Sequence, residues 1–293
     1  MLAVSFSDGW IRCIKAKKEN NSFKITDLKS QKFSDEINNY SLFSNEYKIF
    51  FLKTLDNLFS SIKHNENENI SICMDNDWIE TKILPIDNQL NNDIKKKYLY
   101  WYLNQRDGDL IKKSKVFFKN LNLLDEKKSL VLCSIIPNII LDLLKISTSK
   151  NCLRPVFLEP SIISIERIIS DNITISFGNS KLTKIKLYDK GSIIGEGKCK
   201  IKSNSIELLF FSGDIDKVKF IIKKINENIF DKKIDVLYSN DFSKESLKFF
   251  NLKKNFLSKI NPLIYNKSTI EFQLKNKKEN LSVFSELFGL MLR

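Results

Sequence analysis

Two turns in the sequence carry the small and polar side chains that phosphate binding requires. Their residues are Ser7, Asp8 and Gly9 in the first turn, and Gly178, Asn179 and Ser180 in the second. Small side chains let backbone N–H groups approach an anion, and a carboxylate such as Asp8 can hold magnesium. A tight hairpin turn also favours an Asp-Gly pair. The residue types alone therefore leave a phosphate site and a simple hairpin turn both open.

Each turn joins two runs in which apolar and polar residues alternate. Runs 2–6 and 10–15 flank the first turn, and runs 173–177 and 183–188 flank the second. Alternation on both sides of a short turn predicts a β-hairpin. Strand-like runs and apolar helical faces follow each hairpin. The sequence therefore predicts two α/β halves, each opened by a hairpin, in a chain of 293 residues.

Composition favours some classes of partner over others. The chain carries 48 Lys and Arg against 35 Asp and Glu, a net charge of +13 that favours anionic partners. The basic residues are scattered among acids and form no long block, so we do not expect nucleic-acid binding. The five cysteines form no CxxC pair and there is one histidine, so we expect no metal site. Walker A, GxSxG and GxGxxG motifs do not occur.

The sequence also bears on location. Its first residues alternate like a strand and lack the charged start and long apolar run of a signal peptide. The longest apolar stretch, 130–144, contains polar residues and is shorter than the roughly 20 residues that a membrane span needs. We therefore expect a cytoplasmic protein without a direct membrane span.

Several stretches of the chain resemble PilM-type pilus assembly proteins of the actin-like ATPase superfamily. They are VSFSDGWIR at 4–12, KYLYWYLNQR at 97–106, VLCSIIP at 131–137, LRPVFLEP at 153–160, ISFGNS at 175–180 and FGLMLR at 288–293. The resemblance spans nearly the whole chain. It implies an α/β, actin-like (RNase H-like duplicated) two-lobed fold with a small inserted subdomain. The first lobe would be 1–169, with the insertion at about 88–150, and the second lobe 170–293.

In that family the two hairpin turns approach the phosphates of a nucleotide, and this chain departs from the family pattern there. The first-turn Asp and Gly fall on Ser5 and Ser7, the Lys falls on Arg12, and the second-turn Asp falls on Ser176. The nucleotide-binding residues that the resemblance implies are Ser7, Asp8, Gly9, Gly178, Asn179, Ser180, Ser239 and Asn240. We assign no catalytic residue. We expect weak or absent ATPase activity, with either no cofactor or ATP or ADP with magnesium.

An aromatic cluster on the predicted helix 91–104 is a candidate for partner binding. Tyr98, Trp101 and Tyr102 share one face at positions i, i+3 and i+4. This face either packs on a sheet or forms the wall of a groove. The resemblance implies a groove between the first lobe and the insertion that holds the N-terminal tail of an inner-membrane, PilN-like protein. Our candidates for that groove are Tyr98, Trp101, Tyr102 and Arg106.

Three classes of function follow, and the sequence ranks them. The first is a cytoplasmic scaffold of a type IV pilus or secretion-type assembly platform, held at the inner membrane by a partner. The second is an active actin-fold ATPase or kinase-like enzyme. The third is an RNase H-like nucleic-acid-binding protein, against which Ser5 counts because that class places a metal-binding acid on its first strand. Self-association stays open in each case.

Overall fold

The computed structural model describes residues 1–7, 9–19, 22–33, 40–123, 126–169, 172–178, 183–229, 234–238, 248–249, 251–254, 257–259, 270–272 and 284–292. The strands of the first half are β1 (Leu2–Ser7), β2 (Trp10–Glu19), β3 (Ser22–Lys32), β4 (Glu68–Met74), β5 (Glu80–Asp87), β6 (Ser114–Leu123), β7 (Lys128–Pro137) and β8 (Leu153–Pro160). Those of the second half are β9 (Thr174–Gly178), β10 (Thr183–Asp189), β11 (Ser192–Ile201), β12 (Ile206–Gly213), β13 (Ile234–Tyr238), β14 (Leu257–Lys259) and β15 (Ile270–Phe272). The helices are α1 (Asn45–Ser61), α2 (Asn92–Lys112), α3 (Asn138–Lys150), α4 (Ser161–Glu166), α5 (Ile215–Glu227) and α6 (Ser285–Met291).

Two six-stranded sheets follow one plan. The first has the order β15-β3-β2-β1-β4-β8, and the second has the order β12-β11-β10-β9-β13-β14. In each sheet an antiparallel hairpin, β1–β2 or β9–β10, is followed by strands that add in parallel on the other side, β4 or β13. The hairpins predicted from alternation are therefore the corresponding elements of a duplicated topology.

Alternation along β1 assigns its two faces to different surroundings. Leu2, Val4 and Phe6 pack in a core with α1 and α3. Ala3 belongs to a second core that lies between the two sheets. Because side chains alternate along a strand, Ser5 and Ser7 lie on the same face as Ala3. The first hairpin therefore presents its serines to the space between the sheets.

Two short helices, α4 and α6, fill part of that space. Five of the six residues of α4 are buried, and Glu166 is the exception. The apolar residues of α6 are buried as well. The helices cross closely at Gly289, where an added Cβ would lie 1.7 Å from the backbone oxygen of Ser164. The sequence needs glycine at this position because a side chain there would push the two helices apart.

The inserted unit is a three-stranded sheet of order β5-β7-β6, with α2 packed on one face. The sequence places this insertion at about 88–150. In the structure its first strand already begins at Glu80, and the range 88–150 also contains α3. Helix α3 packs in the core of the first sheet through Ile140 and Leu143. Helix α6, in the half assigned to the second lobe, contacts residues of the first sheet such as Ala3 and Cys73.

Helix α2 is the longest described helix, with 21 residues. It begins after Asn91, whose side chain accepts a hydrogen bond from the N–H of Ile94 at 2.9 Å, and it is kinked at Asp107. Its buried residues are Leu99, Leu103 and Ile111. No helix within the described residues is long and apolar enough to cross a membrane.

Candidate functional site

The first hairpin places a buried cation beside the position expected for a nucleotide phosphate. Ser5 lies directly across from Arg12 in the strand register. The Arg12 side chain is buried, and its Nη1 donates a hydrogen bond to Ser7 Oγ at 3.1 Å. Ser5 Oγ is buried and has no hydrogen-bond partner among the described residues. Gly9 has a φ of 73°, which the turn requires, and Asp8 lies outside the described residues.

The second hairpin repeats this arrangement with lysines. Lys186 lies across from Ser176, and Lys184 lies across from Gly178. Lys186 Nζ donates to Ser161 Oγ at 2.7 Å and lies 3.9 Å from a carboxylate oxygen of Glu286. In both hairpins a cation therefore faces the serine that stands where the family has aspartate. The predicted residues Asn179, Ser180, Ser239 and Asn240 lie outside the described part of the chain.

Lys184 forms ion pairs that cross from the second sheet to the first. Its Nζ lies 2.7 Å from Asp75 Oδ2 and 2.5 Å from Asp77 Oδ2, and Asp75 follows directly after β4. Burial opposes ionisation of Asp75, but the charges of Lys184 and Lys186 outweigh it, so the pKa of Asp75 lies below its ordinary value. Burial and the charge of Asp75 raise the pKa of Asp77. Asp75 therefore holds the lysine as a carboxylate.

Side-chain hydrogen bonds to Glu196 extend this connection. Asn76 Nδ2 donates to Glu196 Oε2 at 2.8 Å, and the Thr81 hydroxyl donates to the other oxygen of Glu196. Asn76 and Thr81 flank the start of β5, whereas Glu196 is on β11 of the second sheet. We call Asp75, Asn76, Asp77, Thr81, Lys184 and Glu196 together the clasp. The clasp borders a cavity of about 810 Å³ between the inserted sheet and strands β10 to β12.

Two further carboxylates near the cleft are bound in ion pairs. Arg167 contacts both oxygens of Glu159, at 2.6 and 2.9 Å, and also donates to the backbone oxygen of Gly289 at 3.1 Å. Glu166 accepts from Lys119 and from the backbone N–H of Ile193. These contacts attach α4 to α6, to β6 and to β11. Both glutamates are therefore held in place by ion pairs or hydrogen bonds with neighbouring elements.

The described residues of the cleft do not fit an ATP–magnesium complex. Ser5 and Ser176 stand at the two positions where the family has turn aspartates, and serine is a far weaker magnesium ligand than a carboxylate. The buried carboxylate of Asp75 is paired with Lys184 at 2.7 Å. Within the described ranges, no group of three or more His, Cys, Asp or Glu side chains is arranged to hold a metal ion.

The predicted aromatic cluster lies on the outer face of α2. Tyr98 and Trp101 are exposed, their ring centroids are 5.9 Å apart, and Tyr102 lies 6.4 Å from Tyr98. Both alternatives hold for part of this face: Tyr102 is partly buried against the core of the insertion beside Leu99 and Leu103, whereas Tyr98 and Trp101 are exposed. Tyr102 and Arg106 border the 810 Å³ cavity, and Arg106 donates to the Tyr102 hydroxyl at 3.3 Å.

A separate groove of about 510 Å³ lies between the inserted sheet and the elements of the first sheet. Its apolar lining residues are Phe117, Phe118, Leu132, Ile136, Leu141, Leu158, Pro160 and Ile163. Lys115, Lys119 and Arg167 add positive charge, and Ser134 and Glu159 complete the lining. The four predicted groove residues Tyr98, Trp101, Tyr102 and Arg106 do not line this groove.

Sequence reasoning missed the clasp and did not assign a groove to the edge strand β6. Lys184 and Lys186 occupy alternate positions of an otherwise apolar strand, which is the signal that could have identified them. Asp75 comes directly after a buried strand that is parallel to β1, so the carboxyl ends of both strands meet at the cleft. The abundance of lysine throughout the chain hid the first of these signals.

Comparison with known proteins identifies the fold. No protein-family model and no curated protein matches the chain. Among solved structures, a chain of the PilM–PilN type IV pilus biogenesis complex is similar with a TM-score of 0.64 at 10% identity, over 99% of this chain and 97% of that one. A Bacteroides thetaiotaomicron protein of actin-like ATPase fold and unknown function has a TM-score of 0.46 at 11% identity, over 98% and 94% of the two chains. The cytoplasmic domain of EpsL, an inner membrane component of the type II secretion system of Vibrio cholerae, has a TM-score of 0.45 at 8% identity, over 89% and 97%.

At such identities the likeness concerns the fold, and the fold assignment rests on the first of these structures. The predicted α/β, actin-like two-lobed fold with an inserted subdomain is confirmed. The resemblance to PilM-type proteins is confirmed at the level of fold.

Proposed function

We propose that this chain is an actin-like scaffold of a pilus or secretion-type assembly platform, with weak or absent ATPase activity. In this proposal it acts in the cytoplasm and binds the cytoplasmic tail of an inner-membrane, PilN-like partner. The observation that carries the scaffold assignment is the clasp, in which Lys184 pairs with Asp75 at 2.7 Å across the cleft. The structural similarity to a chain of the PilM–PilN complex extends over nearly the full length of both chains, and it supports the assignment to a pilus or secretion-type platform.

The clasp supports a scaffold because it connects the two sheets through the protein's own charges. In a nucleotide-dependent actin-like protein, the phosphates and their magnesium supply such connections, and hydrolysis alters them. Here Lys184 and Glu196 of the second sheet contact Asp75 and Asn76 on the first-sheet side without a ligand. Because these contacts bridge the cleft without a nucleotide, we expect the protein to have a structural role that does not depend on nucleotide hydrolysis.

The groove between the inserted sheet and the first sheet is the proposed position of the partner's tail. Strand β6 lies at an edge of its sheet, and an edge strand can accept an extended peptide as an added strand. Phe117 on β6 is 53% exposed and offers an aromatic contact. Lys115 is exposed at the same groove. We therefore expect a tail with apolar side chains that occupy the groove and acidic side chains beside Lys115.

Titration of a synthetic N-terminal tail of the PilN-like protein from the same organism tests this assignment. Phe117→Ala should weaken binding about tenfold, because an aromatic anchor in a peptide groove typically contributes 1–2 kcal/mol or more. Phe220→Ala is the matched control, since Phe220 on α5 is 57% exposed and lies away from the groove lining. Weakening by Trp101→Ala but not by Phe117→Ala would move the tail to α2, the surface predicted from the sequence. Equal affinities for all variants would contradict both positions.

A further inference from the structure

The outer face of α2 exposes a row of large apolar and aromatic side chains. Ile94 is 47% exposed, Tyr98 is 42% exposed and Trp101 is 57% exposed. Spacings of four and three residues place them on one side of the helix, together with Tyr102. The opposite side is fixed to the inserted sheet by Leu99 and Leu103. The row is therefore held on a rigid element and points away from the protein core.

The segment of α2 that carries this row has an excess of positive charge. From Ile94 to Arg106 the helix contains four cationic residues, Lys95, Lys96, Lys97 and Arg106, and no acidic residue. Lys96 and Lys97 are exposed. Asp93 precedes this segment and Asp107 follows it. The middle of α2 therefore combines aromatic exposure with an excess of positive charge.

We propose that this face docks on an anionic lipid bilayer. Tyr and Trp side chains favour the membrane–water interface, where the ring is partly buried and its polar group stays hydrated. Lysines beside them contact negative headgroups while their apolar stems cover the interface. An acidic protein surface would match the charge but would leave the exposed Ile94 and Trp101 without an apolar environment. The proposal does not depend on the tail groove, which lies on β6, β7, α3, β8 and α4.

Vesicle flotation with the purified full chain tests the proposal without any partner protein. The chain should float with vesicles of phosphatidylcholine and phosphatidylglycerol, and much less with phosphatidylcholine alone. Trp101→Ala should weaken binding about tenfold, as expected for the loss of one large buried side chain. Lys97→Ala should weaken it about fivefold, because Lys97 lies three residues after Ile94 and four before Trp101, and a lysine near an anionic surface strengthens binding about fivefold.

Matched variants on α5 separate this surface from general electrostatic attraction. Phe220→Ala, equal to Trp101 in exposure, and the pair Lys219→Ala and Lys223→Ala should change binding less than twofold. Losses equal to those of the α2 variants would overturn the assignment to α2. Failure of the unmodified chain to float with anionic vesicles would overturn the proposal, and tail binding measured on the same sample would be unaffected by that result.

Tryptophan fluorescence gives a second readout of the same surface. Trp78 is buried in the first core, and Trp10 is partly buried and lies near Arg12. Trp101 is therefore the most exposed of the three tryptophans. Anionic vesicles should shift its emission to shorter wavelength. Trp101→Phe should keep most of the vesicle binding and lose the shift. A shift that persists in Trp101→Phe would contradict contact between α2 and the bilayer.

Discussion

Lys184 and Asp75 form a buried ion pair, 2.7 Å long, between the hairpin of the second sheet and the end of β4 in the first. Each residue lies on an element that the actin-like fold brings to the cleft. The pair thus connects the two halves of the duplicated topology across the cleft.

Removing the cation should destabilise the protein strongly. In Lys184→Met the Asp75 carboxylate stays buried but loses its closest positive charge, and such a loss typically costs about 3–5 kcal/mol. Lys202→Met is the control, because Lys202 pairs with Glu207 at 2.7 Å at the surface and both side chains are about half exposed. Exposed pairs contribute about 0–1 kcal/mol. Urea unfolding measures both, and equal losses would contradict a structural role for the clasp.

The crossing of α4 and α6 should tolerate no side chain at Gly289. Its added Cβ would meet the backbone oxygen and carbon of Ser164 at 1.7 and 2.5 Å, and backbone atoms cannot move aside without separating the helices. Gly289→Ala should therefore cost about 3 kcal/mol in the free energy of unfolding. Gly108→Ala is the matched control, since nothing lies within 4 Å of its added Cβ. We expect that control to be neutral or stabilising by up to about 1 kcal/mol, as in other helices.

The contact between α1 and α3 should make part of the stability dependent on pH. Asp56 on α1 accepts hydrogen bonds from Ser147, Lys150 and Asn151 at 3.1, 2.6 and 2.9 Å. Burial alone would raise the pKa of Asp56, but these bonds outweigh it and the net pKa is lowered. A lowered pKa in the folded state gives stability that is present above the unfolded value of about 3.9 and is lost as the pH falls below it.

Asp56→Asn isolates that contribution. The variant should lose about 1 kcal/mol at neutral pH, a figure kept small because Asp56 is partly solvated. Its unfolding free energy should fall less steeply than that of the unmodified chain below about pH 4. Parallel acid profiles for the two proteins, measured by urea unfolding at several pH values, would contradict this account of Asp56.

The fold was largely predictable because its signals are local. Alternation on both sides of Gly9 predicted the first hairpin, and the same pattern around 179–182 predicted the second. Apolar residues at helical spacing in 47–62 and in 215–228 predict the two helices that the structure shows as α1 and α5. Short strands such as β14 and β15 were missed, since three residues give too little periodicity.

The candidate site was less predictable because it depends on contacts between distant residues. Asp75 and Lys184 are 109 positions apart, and neither belongs to a motif. The aromatic face of α2 was identified from its spacing, but spacing alone could not decide which face the sheet would cover. Leu99 and Leu103 decide it by packing in the core of the insertion. Serines in place of the turn aspartates were visible in the sequence, whereas the positions of Arg12 across from Ser5 and of Lys186 across from Ser176 were not.

The most direct test of the central claim is titration calorimetry of the full chain with ATP and magnesium, with phosphate release measured on the same sample. We expect no saturable heat of binding and no phosphate release above the protein-free rate, because the clasp and Arg12 are satisfied by the protein's own groups. Micromolar binding accompanied by turnover would contradict this expectation and would identify the chain as an active ATPase.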